Sequence, residues 1–252
     1  MNGASHHLAG PLEQFAIEPL IPLHVGRYDL SFSNSALFMV LAACLVTLMM
    51  RWAARRAALV PGPLQSVAEL AYGFVAGMVR DNAGTAAQRF VPFVFSLFTF
   101  ILLGNLLGLI PYTFTFTSHI IVTFALAITV FVLVTALGIV LHGWRFLGFF
   151  VPPGVPAILL PVLVPIEVLS YLTRPISLSV RLFANMMAGH TMMAVFAGFA
   201  VSMGAAFGWV TGLLPLVLVV ALTGFEILVA VLQAYVFAIL TCLYLRDAIE
   251  LH

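Results

Sequence analysis

The sequence predicts an all-α polytopic membrane protein, and three observations carry that prediction. Of its 252 residues, 63% are hydrophobic and 8% charged, against about 25% charged in a soluble domain. The apolar residues gather into runs of the length needed to cross a hydrocarbon core of about 30 Å, which takes about 20 helical residues. The basic residues, all arginine, cluster at the ends of several of those runs. With nine acids and a formal net charge of +1, the chain has no basic surplus for a nucleic-acid partner.

Residues 1–33 are mixed in polarity and lack the charged-then-apolar pattern of a secretory signal. His6 and His7 read there as a solvated terminus rather than a metal site. A first span is expected over 34–56, ending in Arg51, Arg55 and Arg56. Those arginines put its C-terminal end in the cytoplasm and the N-terminal segment outside. Residues 61–89 interleave Gln65, Glu69, Arg80, Asp81 and Arg89 with apolar positions. That pattern suits an amphipathic helix on the cytoplasmic surface better than a span.

Residues 90–142 read as a helical hairpin that turns over Pro111–Ser118. Gly104 and Gly108 stand one turn apart and are expected to pack helices closely. His119 and His142 fall at span ends, where interfacial histidines are ordinary, and Arg145 marks the cytoplasmic side. Pro152–Pro156, with three prolines, is expected to be a loop. Cys44 and Cys242 lie in apolar runs far apart and read as buried packing residues, not as a disulfide. No histidine group has metal-ligand spacing, and no cofactor is expected.

Two longer apolar stretches complete the chain within 158–245, joined by a turn around Gly204, Gly208 and Gly212. Each is either two spans or one steeply tilted helix, since either would be far longer than the membrane core is thick. One crossing each returns the C-terminus, with Arg246, to the cytoplasm, in agreement with the other arginines. One proline, Pro175, kinks a transmembrane helix rather than reversing it. The expectation is therefore a single membrane domain over 1–252 with five crossings, the last two a long tilted hairpin.

Inside that hairpin the first helix carries an unusual stripe. Glu167, Arg174 and Arg181 stand at i, i+7 and i+14, with Ser177 and Asn185 one turn to either side of Arg181. At about 100° per residue all five fall within about 40° of one line. A charge at the bilayer centre costs roughly 2.5–3.5 kcal/mol, so such residues default to a functional polar path. Arg174 lies nearer the cytoplasmic face, within snorkelling reach. If the hairpin turns near Gly208, residues at equal depth have numbers summing to about 416. His190 is then level with Glu226, and Arg181 lies near Tyr235, two residues from Gln233. His190 lies about 180° around the helix from Arg181, so the polar groups form two differently directed regions above and below one arginine. By this register Glu167 and Glu226 are about 21 Å and 15 Å from Arg181, too far for a salt bridge.

These residues carry a resemblance. Arg174-Pro-Ile-Ser-Leu-Ser179 followed by Arg181-Leu-Phe-Ala-Asn-Met-Met-Ala-Gly-His190 resembles the signature of subunit a of F-type ATP synthase. Glu226 and Leu232-Gln-Ala-Tyr-Val-Phe237 resemble that family's last helix. Asn105–Pro111 and Thr117-Ser-His119 resemble its second and third hydrophobic segments. Many bacterial members carry Glu where this chain has His190 and His where it has Glu226; the exchange resembles the mitochondrial and alphaproteobacterial pattern.

The resemblance implies a proton-translocating stator subunit of a rotary ATP synthase, not an enzyme on its own, in a bacterial inner membrane. It implies that Arg181 faces the carboxylate of the c-subunit ring, with Asn185 and Gln233 as its polar neighbours. His190 and Glu226 would belong to the half-channel open to the outside, and Glu167 to the cytoplasmic route, with Arg174 and Ser177 as further candidates. The partners implied are the c-ring, the subunit b peripheral stalk, other synthase subunits and lipid. A secondary transporter is the competing class. It would arrange its charges around a cavity between paired repeats, and no repeat is visible in this sequence.

Overall fold

A computed structural model describes residues 16–22, 24–25, 28–29, 31–55, 61–110, 113–151 and 156–250. The first crossing is α1 (Asn34–Arg55), and α2 (Pro63–Ala83) follows it. Next come α3 (Val91–Gly108) and α4 (Ile120–His142), and then α5 (Leu160–Phe207) and α6 (Trp209–Ile249). Five helical segments are long and apolar enough to cross a membrane, containing α1, α3, α4, α5 and α6. The chain is thus an all-α polytopic membrane protein. The expected proline loop over 152–155, His6, His7 and Arg56 lie outside the described residues.

Ahead of α1, Pro19–Ile21 pairs antiparallel with Phe32–Ser33, and His24–Val25 with Tyr28–Asp29. The sequence gives no alternating pattern there, and the pairing is held partly by Asn34. Its Oδ1 accepts from Glu18 N–H at 3.3 Å while its Nδ2 donates to the Ala16 carbonyl at 3.0 Å. The segment is thereby tied to the start of the first crossing.

Helices α5 and α6, at 48 and 41 residues, run roughly 72 Å and 62 Å at 1.5 Å per residue. Each is one unbroken helix, with Pro165 and Pro175 inside α5 and Pro215 inside α6. Both are about twice the hydrocarbon thickness and cross it only steeply tilted or with their ends outside it. The chain reverses at Gly208, whose φ of +95° belongs to glycine. Just beyond the turn a side chain at Gly212 would stand 2.6 Å from the Ala200 carbonyl oxygen, so the two helices close tightly there.

The core lies where α2, α3 and α4 pack against the half of the hairpin remote from Gly208. Val79 of α2, Ile101 of α3, Val130 of α4, Leu182 of α5 and Phe237 of α6 are fully enclosed. Helix α2 buries Val75, Met78 and Val79 against that core while exposing Leu64, Val67 and Leu70 beside Glu69, Arg80 and Asp81. This three-way partition suits a helix lying at a membrane interface. Apolar residues elsewhere face outward, Ile121, Val140 and Leu214 among them, as expected where the solvent is lipid.

One sequence expectation fails here. Cys242 is buried, but Cys44 is exposed, and both are free thiols. Helix α1 sits at the edge of the bundle, so an apolar position on it packs against lipid rather than protein.

Candidate functional site

The polar residues of the hairpin meet in tiers. Nearest the chain's C-terminal end, Arg174 Nη1 donates to Asp247 Oδ2 at 2.8 Å. The guanidinium also lies over the rings of Tyr244, Tyr171 and Phe149, at 4.9, 5.2 and 5.8 Å from their centroids. Eleven residues along α5, Asn185 Nδ2 donates to Gln233 Oε1 at 2.8 Å. Five residues further, His190 Nε2 stands 3.6 Å from Glu226 Oε1. The pairs 185/233 and 190/226 have the register that a turn at Gly208 dictates.

Arg174 is thus paired across the hairpin. It is anchored in an ion pair, each side chain about one-quarter to one-third exposed, within an aromatic surround. Asp247 was not singled out by the sequence, although the register puts Arg174 near residue 242. The long guanidinium stem reaches the next turn of α6. A hydrogen bond to a charged group contributes about 1.5–3 kcal/mol. Asp247→Ala is accordingly expected to lower the melting temperature of the purified membrane complex, while Asp247→Glu retains most of it.

Arg181 is placed differently. It faces outward from the bundle, as do Ser177, Ala184, Asn185 and Ala188 around it. Among the described residues no carboxylate lies within ion-pair distance of it. Glu167 sits two turns below Arg174, half-buried and likewise without an ion pair among the described residues. The stripe is thus divided: Arg174 turns into the bundle, and the Ser177–Arg181–Asn185 portion is left uncovered.

On the opposite side of α5, His190 and Glu226 are buried, at 8% and 3% exposure. Gly189 makes room for the acid, since a Cβ there would stand 2.6 Å from Glu226 Oε1. Thr115 Oγ1 lies 3.1 Å from His190 Nε2. Asn105, fully enclosed on α3, donates to the Ala230 carbonyl at 3.4 Å, one turn from Glu226. Several buried polar atoms find no hydrogen-bond partner within the described chain: both Glu226 oxygens, Asn105 Oδ1, Gln233 Nε2, Thr117 Oγ1 and His119 Nε2. Buried polar groups are almost always paired, by protein or by water. Glu226, with both its oxygens among these atoms, is the one acid of the group.

Sequence reading brought His190, Glu226, Asn185 and Gln233 to their levels but missed Thr115 and Asp247 and took Asn105 only as part of a family motif. The alternation Thr113-Phe-Thr-Phe-Thr-Ser118 was the available signal, since hydroxyls at every second position are not what a lipid-facing turn would carry.

A helical membrane protein with an acid–imidazole pair buried between its two longest helices, and an uncovered arginine on the other side of one of them, falls in the class that handles ions within the bilayer. Comparison with known proteins makes that class specific. The family described as ATP synthase A chain matches residues 36–246. "ATP synthase subunit a" of Parvibaculum lavamentivorans is 59% identical over 243 residues, covering 95% of this chain and 93% of that protein. The proteins of the same name from Pelagibacter ubique and Paramagnetospirillum magneticum are 54% and 52% identical, covering 98% and 100% of their own lengths. The chain belongs to the ATP synthase A chain family.

Proposed function

We propose that the chain is the proton-translocating stator subunit of an F-type ATP synthase, offering a c-subunit ring two offset half-channels separated by Arg181. The observation that carries this reading is the opposition on α5: the pair His190–Glu226 faces inward while Arg181 faces outward with no acid among the described residues beside it. An uncompensated charge inside the bilayer costs roughly 2.5–3.5 kcal/mol or more. A carboxylate on a partner would offset that cost. The small residues Ala184 and Ala188 beside Arg181 let another helix approach closely.

In this mechanism the guanidinium stabilises the ionised form of each rotor carboxylate that passes it. Its fixed charge also repels protons, so none crosses directly from one half-channel to the other. Each proton rides the ring around, and passage down 100 mV releases about 2.3 kcal/mol per charge. Arginine suits the post because its guanidinium does not deprotonate in a low-dielectric site. His190 and Glu226, with the orphaned polar atoms around them, line the outer route, and Glu167 the cytoplasmic one. Asn185 and Gln233 hold the two helices in register beside Arg181, with Ser177 on its other side. The chain hydrolyses nothing by itself and takes no cofactor; the b-subunit stalk anchors it.

Purification tests the reading. The chain is expected to come out of detergent with an oligomeric ring of small hairpin proteins, and isolation as a lone transporter would refute the assignment. Orientation is tested separately, with the N-terminus and Gly208 turn outside and α2 and the C-terminus inside. On a background lacking Cys44 and Cys242, Ala206→Cys is expected to react with an impermeant thiol reagent in intact cells. Glu250→Cys is expected to react only after the membrane is opened. Labelling at position 250 from outside would overturn the five-crossing topology.

A further inference from the structure

Between α3 and α4 the described residues 114–118 lie in the protein interior. Phe114, Thr115, Phe116, Thr117 and Ser118 are all buried. Non-helical backbone at membrane depth is tolerated where protein surrounds it or where it lines a watery cavity. Two glycines admit this segment. A Cβ on Gly104 would strike the Phe116 ring, and one on Gly108 would strike the Thr115 side chain. These glycines, expected from sequence to pack helix on helix, instead seat a loop on α3. Ser118 Oγ closes it by donating to the Thr115 carbonyl at 2.6 Å. The Phe114 ring stacks on His119 at 5.0 Å. Held in this way, Thr115 Oγ1 stands 3.1 Å from His190 Nε2 and 3.3 Å from the Gly108 carbonyl oxygen.

We propose that Thr115 is a positioning residue of the proton path, its hydroxyl holding the His190 ring towards Glu226 while the proton on Nε2 comes and goes. The inference rests on the reading of His190 and Glu226 as proton carriers. A hydroxyl has one hydrogen to donate and lone pairs to accept with. When Nε2 is bare, Thr115 donates to it. When Nε2 carries hydrogen, Thr115 accepts from it and turns its own hydrogen to the Gly108 carbonyl. One side chain thus serves both protonation states without moving the ring. The carboxylate alone does not fix the ring, since 3.6 Å is beyond ordinary hydrogen-bond length. The titratable groups brought to this corner are Glu226 from α6 and His119 from the start of α4; α3 and the turn Phe116–Ser118 bring none.

The test uses the assembled synthase in inverted membrane vesicles, with ATP-driven pumping measured against the pH of the compartment that the His190 side faces. Thr115→Val keeps the volume and removes the hydroxyl, whereas Thr115→Ser keeps the hydroxyl. Misplacing a reacting group by about 1 Å can cost on the order of 100-fold, so Thr115→Val is expected to lose pumping by about 10-fold to 100-fold and to shift the pH profile. Thr115→Ser is expected to keep both the rate and the profile. Wild-type rate and profile in Thr115→Val at equal subunit amounts would overturn the proposal, as would a serine variant as impaired as the valine one. If the valine variant does not assemble, Thr115→Ala and Thr115→Ser are compared per assembled complex, and equal rates overturn it. Glu226→Gln in the same vesicles separates the two levels. Normal pumping there refutes the proton-carrier reading itself, whereas impaired pumping beside a normal Thr115→Val refutes only the positioning role.

Discussion

Arg181→Ala is expected to abolish proton-driven ATP synthesis and ATP-driven pumping together, while passive proton conduction through the membrane sector persists or rises. The expectation follows from two separate duties of one charge. As a counter-ion it stabilises the ionised rotor carboxylate, and without it the ring has no reason to release its proton at that point. As a barrier it keeps protons in one half-channel from hopping into the other. Removing it takes away the coupling and the barrier at once, and leaves both access routes standing. The assembly itself should survive, because Arg181 faces out of the bundle and makes no ion pair within the described chain. Arg181→Lys should also fail to couple, since lysine lacks the planar fork and loses its proton readily when desolvated. Proton flux into vesicles under an imposed potential, measured beside ATP synthesis in the same vesicles, distinguishes these outcomes. ATP synthesis near the wild-type rate in Arg181→Ala would end the claim that this residue is the stator charge.

The levels of the hairpin were legible because they follow from one turn residue and a fixed rise per residue. Gly208 sets the register, and His190 with Glu226, and Asn185 with Gln233, follow from it. The outward placement of Arg181 was legible as azimuth, opposite His190 on α5. What could not be read was how α3 and α4 lie against that hairpin. Both are apolar on every side, so no polar face announces which side turns inward. The Asn105 contact at the Ala230 carbonyl was invisible for the same reason, and the Thr113–Ser118 alternation did not say which helix Thr115 and Phe116 would meet. Asp247 was missed for a different reason. It lies at the end of α6, where an acid beside Arg246 looks like an ordinary solvated helix terminus, and only the reach of Arg174 makes it part of the interior. Cys44 was misplaced because burial in a membrane protein and apolar character are separate properties. In lipid an apolar side chain has nothing to gain by turning inward.

Glu226→Gln is expected to slow ATP-driven pumping by about 100-fold or more, the range over which a positioned proton donor or acceptor acts, while leaving the amount of assembled subunit unchanged. The substitution keeps the shape that Gly189 makes room for and removes a group whose two oxygens find no hydrogen-bond partner among the described residues. Glutamine keeps a near-isosteric side chain beside His190, so with subunit amounts unchanged a loss of pumping would be a loss of proton transfer. The companion experiment exchanges the two residues. His190→Glu alone gives two neighbouring acids, and Glu226→His alone gives two imidazoles. The double exchange His190→Glu with Glu226→His restores one of each across the same gap of 3.6 Å. Residues in contact give non-additive effects, so the double variant should pump faster than either single one. It should remain below the wild type, because an imidazole at position 226 must enter the slot beside Gly189 that fits a carboxylate. Pumping by Glu226→Gln at the wild-type rate, with normal subunit amounts, would reduce Glu226 to a packing residue. A double exchange no better than its worse single would show that the two side chains do not pass a proton between them.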